Sequence, residues 1–314
     1  MRLRSEFHPL RKSSCFLAII LVSLFLIRVP SPFAETNLNI PAEYGEVIYR
    51  SNPESPNQLF IIGMSHRDSL TRANGGNTSR VQAEVYQIGN WLIHTQGVRL
   101  LLPEGFFKNP SAPIGKLNVP DSTGSCADLP DLKALEARLS DDQTYVNAEM
   151  LLKEDHSLRV RQVEDLPLYR EVRDDLVKLA SGGEKGCDPK VSIAELDYLQ
   201  ERRAAVMLQN ISRVVEEEFR QGAIRNEKAI FTIGMSHIHS IIQYLKEGKI
   251  TVCAPPLPSD GHKDYIANLD LQKKNFGVIV ILPRTLAGDP EILRMNHLDP
   301  ITLQPLLQSS ALHP

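Results

Sequence analysis

The pentapeptide Ile-Gly-Met-Ser-His occurs twice, at 62–66 and at 233–237. Each copy ends an apolar run, Leu59-Phe60-Ile61-Ile62 in one and Ala229-Ile230-Phe231-Thr232-Ile233 in the other, and each precedes sequence that suits a helix. A histidine carried at a strand end is suited to ligate a metal or to move a proton. A single one would more readily be read as a local hydrogen-bonding residue. Duplication of the whole context makes His66 and His237 candidates for one shared site. Gly63 and Gly234 would let the backbone turn or come close to a ligand. Ser65 and Ser236 read as helix N-caps rather than nucleophiles, since no G-x-S-x-G elbow surrounds them.

Three further residues have the chemistry to join the histidines. Glu104 follows the apolar run Val98–Leu102 and should emerge at the same sheet edge, as a metal ligand or a general base. Glu164 stands in a similar place after Leu158–Val163. Its neighbour Asp165 reads as an N-cap, with Pro167 in the first helical turn. Arg203 falls on the apolar stripe of a long helix, four residues from Leu199 and four from Met207. A guanidinium on a buried face needs an anionic partner, because an unpaired buried charge is very costly.

The elements that must hold these residues alternate between β and α. Strands are expected at Val47–Tyr49, Gln58–Ile62, Val98–Leu102, Leu158–Val163, Ala229–Ile233, Ile250–Cys253 and Gly277–Leu282. Helices are expected at Ser79–Thr95, Leu129–Leu139, Val146–Glu154, Leu166–Leu179, about Ser192–Arg220 and Ile238–Lys246. The stretches from Pro255 and from Gly288 read as loops. Continuous apolar strands joined by helices suit a parallel sheet covered on both faces. The expected fold is α/β: a mostly parallel central sheet built from two related βαβ units, one per pentapeptide, with an inserted helical region at about 106–222. Ligands in such sheets bind beyond the carboxyl ends of the strands, where His66 and His237 would both lie.

The termini and composition bound the rest. Arg2, Arg4, Arg11 and Lys12 precede the apolar stretch Phe16–Ile27, which is shorter than the ~20 residues of a membrane span and matches an export signal. The reading is a signal over 1–34, an extension over 35–57, an α/β domain over 58–284 and a tail over 285–314. An uncleaved membrane anchor is the alternative. The first 34 residues carry five basic groups and one acidic group, so the chain without them has a formal charge of −7, against −3 with them. An acidic protein lacking a basic stripe is a poor nucleic-acid binder. Cys126 and Cys187 follow loop-like sequence and could pair in an oxidising compartment, or all the thiols stay free. Cys253 reads as a buried free thiol, and the lack of any C-x-x-C excludes a zinc ribbon.

On Gly63–His66, Glu104, Glu164, Arg203 and Gly234–His237, over roughly 58–284, the chain resembles the TraB/Tiki (GumN-like) proteins. These belong to a wider assembly with ChaN-like and erythromycin-esterase-like members. It departs from their pattern at Met64, at Ala204 and after His237. The resemblance implies an α/β fold with one site built from both histidine motifs. For Tiki-like members it implies metal-dependent peptide hydrolysis, for erythromycin-esterase-like members ester hydrolysis with a histidine base, and for ChaN-like members haem binding. The leading expectation is an exported hydrolase of a peptide or small-molecule ester, periplasmic or secreted. His66, His237 and Glu104 would hold a divalent metal ion, with Glu104 a ligand or the base. Arg203 would pair with Glu164 or stabilise an oxyanion. The alternatives are a non-catalytic periplasmic haem- or iron-binding protein, with Tyr169 or His239 as an axial ligand, and a degenerate member that binds peptides without cleaving them.

Overall fold

The apolar runs Leu59–Ile62, Leu100–Leu102, Ala229–Phe231 and Val278–Leu282 become the central strands. The computed structural model describes residues 39–66, 75–105, 131–140, 146–181, 189–255, 263–300 and 302–303, with the side chains of 189–192 excepted. The expected signal over 1–34, Cys126, Cys187 and the Gly-rich break after Ser181 lie outside the described residues. A six-stranded sheet has the order β1 (Gly45–Ser51), β8 (Gly277–Pro283), β2 (Gln58–Met64), β5 (Lys228–Gly234), β3 (Leu100–Pro103), β4 (Arg159–Val160). All neighbours run parallel except β1, which pairs antiparallel with β8 at one edge. Every residue of β2, β3 and β8 is buried, as a sheet covered on both faces requires. Fully burying a side chain such as Leu59 or Ile61 contributes about 1.5–3 kcal/mol, and such residues run the length of these strands.

Helices fill the connections: α1 (Thr78–Gln96), α2 (Leu132–Leu139), α3 (Ala148–His156), α4 (Leu166–Ala180), α5 (Pro189–Arg220) and α6 (Ile238–Glu247). The short α7 (Asp270–Lys273), α8 (Arg284–Ala287) and α9 (Pro290–Met295) follow. α1 stops where Gly97 adopts a left-handed conformation (φ 67°), the usual glycine C-cap. Thr232 on β5 hydrogen-bonds Glu149 of α3, whereas a side chain at Gly63, one step beyond Thr232's partner Ile62 on β2, would meet Ile238 of α6. Successive strand residues point to opposite faces, so α3 and α6 cover opposite faces of the sheet. α1 packs with α2 and with α3, and α5 packs with α6.

The expected α/β class with a mostly parallel central sheet is what the chain forms. Several finer expectations are corrected. The two pentapeptides do not generate two equivalent βαβ units. β5 lies between β2 and β3, so the first crossover skips a strand, and the strand after α6 leaves the sheet altogether. That strand, β6 (Lys249–Val252), pairs antiparallel with β7 (Tyr265–Asn268) in a separate ribbon. The reason is readable in its side chains: Ile250 and Val252 are buried while Lys249 and Thr251 are not. Such alternation suits a ribbon with one wet face. Cys253, just beyond β6, is free but exposed rather than buried. The expected strand Leu158–Val163 is reduced to Arg159–Val160. The expected loop from Gly288 contains α9, capped by the Asp289 carboxylate accepting from the Glu291 and Ile292 amides. Ser236 is no cap, since it sits inside a 3-10 turn without a side-chain cap, while Ser65 Oγ lies 3.3 Å from Thr78 Oγ1 and the residues it would cap lie outside the described ones.

Candidate functional site

β2 and β5 are direct neighbours, so the two pentapeptides lie side by side at the carboxyl edge of the sheet. They are not in step. Gly63 pairs with Ile233 and Met64 with Gly234, a slip of one residue. The first copy stays extended through Met64, whereas the second turns at Gly234 into a 3-10 turn, Met235–His237. Identical pentapeptides thus take different paths. Both nevertheless bring their histidine to one residue, Glu104, which follows β3 on the far side of β5.

Glu104 is the hub. His66 Nε2 lies 3.2 Å from its Oε2, and His237 Nε2 lies 3.8 Å from its Oε1. The Gly234 amide donates to Oε2 at 2.6 Å, and Arg203 Nη1 meets Oε1 at 2.9 Å. Arg203 also donates Nε to Glu164 Oε2 at 3.1 Å, and its Nη2 bonds Glu164 Oε1. The Gly105 amide adds a bond to Glu164 Oε1 at 3.1 Å. The anionic partner demanded by a stripe-borne arginine is therefore a pair of carboxylates. Of the two expected roles for Arg203, pairing with Glu164 is the one the geometry contains. Tyr169 of α4 lies against the guanidinium, with its ring centroid 5.3 Å from Cζ.

Both glycines serve space rather than backbone freedom. Gly234 has φ −56°, open to any residue. A Cβ there would stand 3.3 Å from Glu104 Oε2, 3.6 Å from His66 Cδ2 and 3.7 Å from His237 Cδ2, which marks it as facing the middle of the cluster. A Cβ at Gly63 would come within 2.9 Å of Leu282 and Ile238.

Exposure grades the cluster. His237, Arg203 and Glu164 are buried, and His66 is the exposed member, with 38% of its side chain accessible. Burial alone would raise the pKa of Glu104, but the hydrogen bond from His66 and the charges of His66, His237 and Arg203 hold it well below the usual carboxylate range. Burial works against a charge on His66, yet its bond to Glu104 and the nearby carboxylates of Glu104 and Glu149 raise its pKa overall. Burial lowers that of His237, against the attraction of Glu104 and with the help of Arg203 and His66. Two like side chains are thereby pushed in opposite directions.

Of the sequence candidates, His66, His237, Glu104, Glu164 and Arg203 all come together. His239 turns to the His297 carbonyl, its Nδ1 at 2.9 Å. Sequence reasoning missed Glu149, a fully buried carboxylate at the start of α3. Its signal was present: in Ala148-Glu149-Met150-Leu151-Leu152 it precedes Leu152 by three, on the apolar side of a helix, just as Arg203 sits among Leu199 and Met207.

Donor chemistry bears on the metal expectation. Two imidazole nitrogens and a carboxylate form a set that zinc and similar ions accept. Nitrogen–oxygen separations of 3.2 and 3.8 Å bracket the donor spacing of about 3.4 Å that bonds of about 2.1 Å give in a four-coordinate ion. The donor types suit such an ion. Among the described residues no group of three or more His, Cys, Asp or Glu side chains is gathered to hold a metal ion, and Glu104 is itself engaged by Arg203. Comparison with family models, curated proteins and solved structures finds no match to this chain.

Proposed function

We propose that this protein is an exported hydrolase that cleaves a peptide or ester bond at the cluster of His66, Glu104 and His237, with a divalent metal ion held by those three residues. The observation that carries this reading is the convergence of both histidines on Glu104, beside a position kept clear by Gly234. A divalent ion, when bound, supplies Lewis acidity, favouring ionisation of water and polarising a carbonyl.

The chain's own residues do the remaining work. Arg203 locks the Glu104 carboxylate in one orientation, and Glu164 in turn locks Arg203. The Gly234 amide fixes the other oxygen. Such a preorganised cluster needs no rearrangement during reaction. His66, exposed at the rim, is the member that an incoming substrate meets first.

Purified protein tests this by metal content together with turnover of peptide and ester panels. Bound metal near one per chain, with activity lost in His66→Ala and His237→Ala and after chelation, is expected. No metal, with both variants as active as the wild type, ends the proposal. A second reading has one observation behind it: the His66–Glu104 hydrogen bond is also that of a metal-free histidine base oriented by a carboxylate. Activity that survives chelation but not His66→Ala selects it.

A further inference from the structure

Hydrolysis at this site requires a group to take the proton of the attacking water, and the two obvious carboxylates are engaged. Glu104 accepts from His66 and the Gly234 amide on one oxygen and from Arg203 on the other. Glu164 gives both oxygens to Arg203 and one also to the Gly105 amide. We infer that Glu149, on α3, is the carboxylate that accepts this proton, an inference that rests on the hydrolase reading above.

Three observations carry it. Glu149 is 5% exposed, and its Oε1 accepts from Thr232 Oγ1 at 2.9 Å, while Oε2 is buried with no hydrogen-bond partner among the described residues. A buried oxygen left unmet costs about 1–3 kcal/mol, and more when charged, so it marks a place for water or ligand. Its location is the second. Thr232 and Gly234 are two residues apart on β5 and point to the same face. Gly234 faces Glu104, His66 and His237, so the strand position that anchors Glu149 stands about 7 Å behind the one that faces the cluster, on the same side of the sheet. The third is electrostatic: burial raises the pKa of Glu149, against the charge of His66 and the bond from Thr232 and with the help of the Glu104 charge. The groups around it are Thr232 from β5, His66 after β2 and Glu104 after β3. On the α1 side, Gln82 bonds the neighbouring Ala148 amide.

In the step assigned to it, a water O–H bond breaks and its proton passes to Glu149 Oε2. The water oxygen bonds to the substrate carbonyl carbon, and the carbonyl π pair moves to the oxygen. When the tetrahedral centre collapses, the bond to the leaving nitrogen or oxygen breaks and that atom takes the proton back from Glu149. One water is consumed, and an acid and an amine or alcohol leave.

The test has a structural arm and a kinetic arm. A high-resolution crystal structure should show an ordered water on Glu149 Oε2; a protein donor bonded there instead overturns the inference, whether or not any substrate is known. This arm separates its failure from failure of the hydrolase reading, which a wild type inert toward all substrates would signal. Kinetically, Glu149→Gln should keep zinc content and KM, lower kcat by about 100-fold or more, and abolish the acid limb of the kcat/KM profile. Glu149→Asp should recover part of the rate. An unchanged kcat, or an unchanged acid limb, overturns the assignment. If Glu149→Gln fails to fold, Thr232→Val replaces it: releasing Oε1 should lower kcat at constant zinc content, and an unaltered kcat counts as refutation.

Discussion

At the scale of single residues, the site is a set of side chains chosen for what they exclude as much as for what they contact. Gly234 is the clearest case. Its backbone suits any residue, so Gly234→Ala should change stability little, while the added methyl, 3.3 Å from Glu104 Oε2, displaces the groups that must converge. Misplacement by about 1 Å can cost about 100-fold in rate; Glu104 has to give by only a fraction of that, so a loss well below about 100-fold at a near-constant Tm is expected. Arg203 predicts the reverse balance. Arg203→Ala leaves Glu104 and Glu164 buried without their cation and should cost about 3–5 kcal/mol in urea unfolding. Arg203→Lys should recover little of it, since one ammonium cannot make the forked contacts to two carboxylates. The sequence exposed Arg203 because a charge on an apolar stripe is anomalous. The same anomaly at Glu149 is weaker, because α3 has nine residues and only a short stripe to violate.

At the scale of elements, strands were legible where both faces are buried and obscure where they are not. β2, β5 and β8 were evident as apolar runs, while β4 is two residues long and held to the molecule by other means. Arg159 of β4 donates Nε to the buried Glu218 of α5 at 2.6 Å, and Arg161 pairs with the same carboxylate. Local capping chemistry was also legible. The Asp165 carboxylate accepts from the Leu168 amide at 2.9 Å, as the Asp-Leu-Pro sequence indicated. Asp165→Ala should therefore destabilise the protein by about 1 kcal/mol, measured by thermal or denaturant unfolding. Because α4 carries Tyr169 against Arg203, its activity should fall more than that of a variant capping a remote helix, such as Asp289→Ala on α9.

At the scale of the whole molecule, described residues from Asn39 onward form one compact unit, and ligand and proton binding can be read through its stability. If His66, His237 and Glu104 hold a divalent ion, zinc at about 1,000 times its Kd should stabilise the fold by about 4 kcal/mol. The Tm rise should vanish in His237→Ala. Protons act elsewhere too. Burial, with the help of His94, lowers the pKa of His156, so the folded state resists its protonation. Stability from this group is complete above the unfolded histidine pKa of about 6.5 and is lost as pH falls through the lower folded value. The Tm should drop as pH falls below about 7, and less steeply in His156→Gln. Among the described residues no helix is long and apolar enough to cross a membrane.

The sequence alone determined the α/β class, the strands that are apolar throughout, and the identity of five side chains in one cluster. Those are local properties: burial on two faces writes continuous apolar runs, and a charge or a duplicated histidine motif stands out against them. Tertiary structure decided the strand order that inserts β5 between β2 and β3, the one-residue slip between the pentapeptides, and the departure of β6 into its own ribbon. It also decided that Glu104 is the common partner of both histidines and that Glu149 lies beneath them. Each of these depends on which strand hydrogen-bonds to which and in what register. Backbone hydrogen bonds are the same for every residue, so the choice among pairings is made only when all the helices and strands bury their apolar faces together.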